Sequence, residues 1–509
     1  MKILTSIQLH ELDEYTIEHE PIKSIDLMER AAKAISRAIS ERWNVRTPIV
    51  TFAGPGNNGG DALAVSRMLA EQGYNVTVYL FNTKDHLSED CAINRDRLTS
   101  RVNKFTEVTR GEFELPTLTA ETLVIDGLFG SGLMKPLSGG FASLVKFINQ
   151  TPSTVVSIDV PSGLLCEDNS NNIHSNIIRA DLTLTLHQKK LAFLFADNQQ
   201  YVGKVKVLDI GLSKEFIEQT NTEYTILEEQ DVRKLMQPRD DFAHKGSMGS
   251  ALLVAGSYGM AGAAILAARA CTRSGVGKVT VQIPSNNYAV MQMSVPEALV
   301  QIGSDPNYFA ESVDSEPFDA LGIGPGLGQS ENTAIALIGQ LRRTRSAIVV
   351  DADALNILAS HRAWMQQLPK EIIMTPHPKE MERLDGNRYN TDYELFIKAR
   401  ELAAHLKAYI ILKGHYSALC LPDGNVVFNS TGNSGMATGG CGDVLTGLIT
   451  GLLARGYSQA DACKIGMYLH GLAGDLAIAD IGKESLVAGD LITYPRHMPW
   501  ACRRNRWSI

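Results

Sequence analysis

From Pro48 to about residue 479, short β-branched runs alternate with helix-length amphipathic segments, and glycine-rich, acidic turns close many of those runs. A chain patterned this way reads as an α/β protein built on mostly parallel sheets. Strands are expected near 48–53, 75–81, 122–126, 154–158, 181–186 and 204–208, preceded by helices over about 6–19 and 24–42, the second with Ser24 as its N-cap. Between about 213 and 238 the pattern weakens into a polar, acidic stretch ending in Gln237-Pro238-Arg239-Asp240-Asp241, which reads as a domain junction. A second series begins at Ser250-Ala251-Leu252-Leu253-Val254-Ala255, with strands near 278–283, 318–323, 346–350, 371–374 and 408–412 and a helical end over 442–479. At about 150 residues per domain, 509 residues leave room for roughly three domains or two large ones. The glycine-rich segments of the two halves differ in spacing and order, so the halves are not repeats, and two domains with separate sites are the simplest reading.

Composition narrows the function classes. The chain is 44% hydrophobic and 20% charged, with 43 Gly and 19 Pro, an ordinary globular balance that excludes collagen-like, low-complexity and mainly disordered chains. Its net charge of −8 is spread along the sequence, so the electrostatic footprint of a nucleic-acid binder is absent. Seven cysteines lie far apart with no Cys-x-x-Cys pair and read as reduced thiols without a metal cluster. The opening Met1-Lys2-Ile3-Leu4-Thr5-Ser6-Ile7-Gln8-Leu9-His10-Glu11 meets acid before it builds a signal-peptide core, and no run of 18 apolar residues occurs. The expectation is a cytoplasmic protein with neither membrane nor nucleic-acid partner.

The strand Ile49-Val50-Thr51-Phe52-Ala53 runs into Gly54-Pro55-Gly56-Asn57-Asn58-Gly59-Gly60-Asp61 and then a helical segment. Gly54, Gly56 and Gly59 satisfy G-x-G-x-x-G, the dinucleotide fingerprint. Two details depart from it. The acid expected about 20 residues on is missing, because the next strand ends Val78-Tyr79-Leu80-Phe81-Asn82. Asp61 also competes with a phosphate for the helix amides, so the loop suits a hydroxyl-bearing or cation-assisted ligand better. Two further strands end in Val124-Ile125-Asp126-Gly127-Leu128-Phe129-Gly130-Ser131-Gly132 and Ser157-Ile158-Asp159-Val160-Pro161-Ser162-Gly163. Ligands of parallel sheets bind outside the carboxyl ends of the strands, so one crevice can collect Asn58, Asp61, Asp126, Asp159 and Ser162.

These residues resemble the N-terminal epimerase domain of the bifunctional NAD(P)H-hydrate repair enzymes. The resemblance implies a Rossmann-like domain that interconverts the R and S forms of hydrated NADH and NADPH with a bound K⁺. It implies Asn58, Asp126 and Ser162 as the K⁺ ligands, a hard oxygen set. Substrate contacts would come from Asn57, Asn58, Gly59, Gly60 and Asp61, from Gly130, Ser131, Gly132, Leu133, Met134, Lys135 and Pro136, and from Asp159. Asp159 is the candidate acid/base, since epimerisation at a carbon bearing oxygen and nitrogen moves a proton on and off the ring system.

In the second half, Asn433-Ser434-Gly435-Met436-Ala437-Thr438-Gly439-Gly440-Cys441-Gly442-Asp443 opens onto the amphipathic run from Val444 to Leu453. Free amides at such a loop, strengthened by the helix dipole, make an anion hole for phosphate. Asp443 at its mouth is placed to take a proton from a substrate hydroxyl. Ser274-Gly275-Val276-Gly277-Lys278-Val279-Thr280 only looks like a Walker loop, because Thr272 stands where its first glycine belongs and Val279 where Ser or Thr should follow the lysine. Other strand-end segments fit the same rim: Gly256-Ser257-Tyr258-Gly259, Gly322-Ile323-Gly324-Pro325-Gly326-Leu327-Gly328, Asp351-Ala352-Asp353, Thr375-Pro376-His377-Pro378, and Leu412-Lys413-Gly414-His415-Tyr416-Ser417. His377 reads equally as a helix-entry residue, and Lys413 as a surface charge or a phosphate contact.

From about His244 to about Gly474 these segments resemble the dehydratase half of the same enzymes, a relative of the ribokinase-like small-molecule kinases. The resemblance implies two three-layer domains: an epimerase over 1–215, a linker over 216–235, a ribokinase-like dehydratase over 236–499, and a tail over 500–509 without assigned function. ADP or ATP with Mg²⁺ would bind at Lys413, Gly414, His415, Tyr416 and Ser417 and along Asn433, Ser434, Gly435, Met436, Ala437, Thr438, Gly439, Gly440, Cys441 and Gly442. Ala264, Gly326, His377, Pro378, Lys379, Glu380, Met381, Glu382, Arg383 and Asp443 would contact the hydrate. Asp443 would deprotonate or position the ring hydroxyl while the nucleotide phosphate makes it a leaving group. The ligands implied are NADHX or NADPHX and ADP or ATP, in a homo-oligomer. The rival reading is a ribokinase-like kinase of a small hydroxylated metabolite with an N-terminal interaction domain, since an anion hole plus Asp443 also serves hydroxyl phosphorylation.

Overall fold

The computed structural model describes residues 1–83, 85–98, 101–109 and 113–494; the tail read over 500–509 lies outside them. The chain divides into two compact units, one holding Lys2–Thr222 with Thr391–Tyr393, the other Glu223–Asn390 and the residues from Glu394 onward.

The N-terminal unit is built on a parallel sheet of seven strands, in the order 104–108, 76–81, 49–53, 123–127, 154–158, 182–186, 204–208. The central strand Ile49–Ala53 is wholly buried because helices cover both faces, so its five residues read as a continuous apolar run rather than alternating. The order reverses between Ile49–Ala53 and Leu123–Gly127, with Ala53 beside Gly127, and both strands end at the same crevice. Lys104–Val108 was not expected: it is a half-exposed edge strand with little apolar pattern to announce it. Ser24 is not an N-cap. Lys23 holds that position, and Ser24 opens the helix Ser24–Ser40, its hydroxyl donating to Asp90 Oδ2 at 2.5 Å.

The C-terminal unit orders its strands 224–226, 426–428, 418–420, 409–412, 373–374, 347–350, 320–323, 250–254, 278–283, 299–302. All pairings among them are parallel except those of Ala418–Cys420 with its two neighbours. Here the order reverses between Ser250–Val254 and Ala320–Ile323. The stretch read as a linker is structured: Tyr224–Ile226 pairs with Val426–Phe428, and the helix Glu229–Leu235 buries Val232 in this unit's core. The hairpin strands Ala418–Cys420 and Val426–Phe428 and the edge strand Leu299–Ile302 are three residues or four long, too short for periodicity to show them.

Helix Cys441–Ala454 lies directly on helix Ala261–Arg273 because glycines face the contact. A Cβ on Gly447 would stand 2.0 Å from the Ala267 carbonyl oxygen, and one on Gly451 the same distance from Ser274 Oγ. That close approach carries the glycine-rich loop before Cys441 to the carboxyl ends of the strands. Ser274 and Gly275 form the turn after Ala261–Arg273, so the Walker-like segment is a helix exit into the strand Lys278–Ile283.

Candidate active sites

In the N-terminal unit a cavity of about 830 Å³ opens at the switch point. Helix Asn57–Glu71 begins directly after Gly56, and the turn is so tight that a Cβ on Gly59 would stand 1.8 Å from the Gly54 carbonyl oxygen. Asn57, Asn58 and Asp61 line the cavity, as do Gly130, Ser131, Gly132, Leu133, Met134 and Asp159. Of the residues expected to touch substrate, Gly59, Gly60, Lys135 and Pro136 are not among its lining. Gly60 packs against Met28 instead.

Asp126 and Ser162 sit beneath this surface, both fully buried. Asp126 Oδ1 accepts from Ser162 Oγ at 2.5 Å and Leu128 N at 3.3 Å, and Oδ2 accepts from Ser157 Oγ at 2.7 Å and Ser162 N at 2.9 Å. Burial raises its pKa despite these bonds. It has no cationic partner among the described residues. Beside it, the Asn58 side chain presses Gly130 and carries a buried amide nitrogen without a partner. A buried carboxyl short of positive charge, the Ser162 hydroxyl oxygen and the Asn58 side-chain oxygen are hard donors that suit a monovalent cation, whereas the unpartnered Asn58 nitrogen is itself a hydrogen-bond donor and cannot ligate one.

Asp159 follows the strand Thr154–Ile158 in a left-handed conformation, φ 62°. His187 does the same at φ 65° at the end of the neighbouring strand Leu182–Leu186. Strained backbone at two adjacent strand ends aims both side chains at the cavity they line. Asp159 Oδ1 stands 2.6 Å from Lys190 Nζ, and it also accepts from Leu186 N at 3.2 Å and Thr185 Oγ1 at 3.3 Å. Burial alone would push this carboxyl up; the Lys190 charge and these bonds outweigh it and hold it below the usual carboxylate range. Asp159 is therefore a carboxylate at neutral pH, suited to accept a proton or stabilise a cation, not to donate.

In the C-terminal unit four charged side chains gather at the strand ends. Asp351, after Ala347–Val350, is buried, with Oδ1 2.9 Å from Lys413 Nζ and Oδ2 accepting from Thr446 Oγ1 at 2.7 Å. Lys413 also approaches Glu380 at 3.8 Å. Asp443 occupies the first turn of Cys441–Ala454, whose N-terminal amides have no side-chain cap. Burial, then the Asp351 charge, raise its pKa to about 7, with Lys413 opposing. A Cβ on Gly442 would lie 3.3 Å from Lys413 Nζ, so the loop backbone passes directly over this group.

His377 is the N-cap of Pro378–Asp385: Nδ1 accepts from Lys379 N at 3.1 Å and Glu380 N at 3.3 Å, and Glu380 Oε2 accepts from His377 N at 2.8 Å. The helix-entry role is thus real, and the Nδ1 contacts leave Nε2 carrying the proton. Ala264 and Gly326 are buried, Ala264 against Gly256 and Gly326 against Ala263 and Met260, so they shape the rim from behind. Met381 is likewise fully buried. Ser417 Oγ closes the turn 413–417 on Gly414, leaving His415 exposed. Asn433 caps the turn Ser434–Met436 and bonds Asp475 Oδ1 at 2.8 Å.

Sequence reading missed Asp13, Lys190, His187, Asp351 as the partner of Lys413, and Asp475. Asp13 and Lys190 come to the first cavity from helix Ser6–His19 and from the segment after Leu182–Leu186, with no motif of their own. The only available signal was that Lys190 and Asp351 follow strands, as ligand-rim residues do.

The family described as NAD(P)H-hydrate dehydratase matches residues 251–494, and that described as YjeF-related protein N-terminus matches residues 24–192. The bifunctional NAD(P)H-hydrate repair enzyme Nnr of Moorella thermoacetica is 33% identical over 99% of this chain and 97% of its own. That of Coxiella burnetii is 32% identical over 96% of this chain and 97% of its own. A crystal structure of the ADP/ATP-dependent NAD(P)H-hydrate dehydratase of Bacillus subtilis, co-crystallised with ATP/Mg²⁺, is 32% identical, covers 54% of this chain and 96% of its own, and has a TM-score of 0.48.

Proposed function

The chain belongs to the bifunctional NAD(P)H-hydrate repair enzymes, and we propose that its two sites act in turn, the N-terminal one epimerising the hydrate and the C-terminal one dehydrating it. It is a bifunctional enzyme of cofactor repair, isomerase and lyase in one chain. We assign epimerisation to 1–215 and dehydration to 236–499.

The observation that carries the first assignment is the cavity that unites Asn57, Asn58, Asp61, 130–134 and Asp159 over the buried Asp126 and Ser162. K⁺ would be held by Asn58, Asp126 and Ser162, where it supplies the positive charge that Asp126 lacks. For Asp126 to take part, Ser162 Oγ would shift its proton toward the Phe129 carbonyl oxygen, 3.1 Å away, leaving an Asp126 lone pair free. The hydrate lies against Asn57, Asp61 and 130–134, with Asp159 as the carboxylate beside its ring, while Gly59 and Gly60 shape the turn from behind.

In the second site the uncapped amides of 438–442 take the nucleotide phosphate, and the 413–417 turn, exposed at Gly414 and His415, takes the rest of ADP or ATP, along with 433–437. Mg²⁺ would neutralise phosphate charge there. The hydrate would sit toward Ala264, Gly326 and 377–383. Asp443, poised near neutrality, orients the ring hydroxyl and takes its proton as the phosphate makes that oxygen a leaving group. Loss of that oxygen with the phosphate, and of a proton from the neighbouring ring carbon to solvent or a base of the site, restores the ring double bond.

The described cysteines are all free and buried, which supports a reducing compartment and our placement in the cytoplasm. The edge strand Leu299–Ile302 exposes Leu299 and Ile302, and the helix Tyr288–Ser294 packed beside it exposes Met293, which supports assembly of like chains.

The test is absorbance at 340 nm with mixed R and S NADHX, Mg²⁺ and K⁺, with ADP, ATP or no nucleotide. Complete, nucleotide-dependent recovery of NADH faster than spontaneous epimerisation is expected. Recovery of the S fraction alone would remove the epimerase assignment, and no recovery with either nucleotide would leave the small-molecule kinase reading in its place.

A further inference from the structure

The first cavity holds more acid than the assigned reaction has used. Asp13, on helix Ser6–His19, lines it together with Asp61 and Asp159. Asp159 is bound to Lys190, and Asp90, at the same cavity, is bound by Ser24. Among the described residues the carboxyls of Asp13 and Asp61 have neither hydrogen-bond nor ion-pair partner. An ionised carboxylate facing a cavity without a partner is costly, and Asp159 adds its repulsion to both.

Two kinds of carboxyl thus share one site. Asp159 is ionised by its lysine; the unpaired pair is pushed toward the protonated form, Asp13 to about 6, by burial first and by the Asp159 charge second. Carboxyls whose surroundings drive them apart divide acid from base. Asp61 is raised as well, by burial first and the Asp159 charge second, but its side chain is buried where that of Asp13 is partly exposed to the cavity. Asp13 alone combines a protonated population near neutrality with an open face on the cavity.

We propose that Asp13 is the proton donor of the first site, delivering its proton to the ring hydroxyl of the hydrate; this rests on the epimerase reading of that site. The C–O bond then breaks with its electron pair leaving on oxygen as water, while the ring-nitrogen lone pair forms the C=N bond of an iminium ion. The Asp159 carboxylate offsets the cationic charge. Water adds to the opposite face, the C=N electrons return to nitrogen, and the proton released by the water returns to a carboxylate of the cavity. No oxidant or reductant is needed, and the water consumed equals the water released.

The test uses the full chain, following conversion of R-hydrate, with dehydration of S-hydrate measured separately as the internal control. Asp13→Asn should lower the epimerisation kcat about 100-fold or more, within the span of general acid catalysis, while S-hydrate dehydration stays near wild type and Tm does not fall. Wild-type epimerisation should fall as pH rises through the titration of Asp13, and Asp13→Glu should keep activity with that limb displaced. The charged and titratable groups that line the cavity with Asp13 are His10 and Glu14 on its own helix, and Asp61, Asp90, Asp159, His187 and Lys190 from other elements. His187→Gln should leave the limb in place, whereas His10→Gln removes a charge that lowers the Asp13 titration and should move the limb to higher pH. Epimerisation within a few-fold of wild type in Asp13→Asn, or a loss with the limb unmoved in Asp13→Glu, would overturn the proposal. If Asp13→Asn does not fold, the Asp13→Glu profile decides alone. No epimerisation by the wild type would instead overturn the reading on which the proposal rests.

Discussion

Lys190 Nζ stands 2.6 Å from Asp159 Oδ1 with both side chains almost wholly buried, and this pair sets the charge state of the first site. Lys190 also donates to the carbonyls of Leu186 at 3.1 Å and Gln188 at 3.4 Å, so its ammonium is held from three sides.

Removing Lys190 leaves a buried carboxylate without its cation. Lys190→Met should destabilise the protein by about 3–5 kcal/mol, whereas Lys190→Met with Asp159→Asn should recover much of that loss. Urea unfolding of the two variants is the measurement; equal destabilisation would mean that packing around Lys190, not its charge, is what matters.

The same pair predicts an acid limb of stability. The folded-state pKa of Asp159 is depressed, so its contribution is present above the unfolded value, about 3.9, and is lost as pH falls through the lower folded value. Asp159→Asn should flatten the decline of Tm below about pH 4. An unchanged slope would assign the decline to other carboxyls.

Asp443 carries the opposite sign. Its folded pKa, about 7, lies above the unfolded value, so the stability linked to it is present below the unfolded pKa and is lost as pH rises through 7. Asp443→Asn should thus raise Tm at pH 8, by up to a few kcal/mol of stability, and lower dehydration about 100-fold or more while epimerisation persists. Thermal melts at pH 5 and pH 8 with both assays separate these effects.

Lys413 lowers the Asp443 pKa, so removing it moves that titration upward. In Lys413→Met the rising limb of the dehydration profile should shift to higher pH, and Asp351, left buried without its cation 2.9 Å away, should cost stability. A limb that stays in place would make Lys413 a nucleotide contact alone.

The turn before helix Asn57–Glu71 offers a steric check. Gly59→Ala would drive a methyl to 1.8 Å from the Gly54 carbonyl oxygen, and the loop must open to admit it. Epimerisation should be lost at a cost of about 1–3 kcal/mol of stability, with dehydration kept. Both rates at wild-type level would mean that the loop has slack.

The alternation of buried strand and amphipathic helix is a local property, and so the α/β class and the strands Ile49–Ala53, Leu123–Gly127 and Ser250–Val254 could be read from the chain alone. Glycine-rich and acidic strand ends were legible for a related reason: parallel topology sends the carboxyl ends of strands to a common rim, which places Asn58, Asp126, Asp159, Ser162 and Asp443 near chemistry before any coordinate is known. Edge and hairpin strands such as Lys104–Val108 and Val426–Phe428 were not, because a short half-buried segment has no period to detect. Nor were the groups that give the sites their charge states. Asp13 reaches Asp159 across 146 residues of sequence, Lys190 reaches it across 31, and Lys413 reaches Asp351 across 62. Local pattern along the chain was enough to mark the carboxyls that close strands, such as Asp126 and Asp159, but not Asp13, which a helix brings to the cavity. Which carboxyls are ionised and which keep a proton follows from the fold, because a pKa depends on burial and on the nearest charge in space, neither of which is a property of neighbours along the chain.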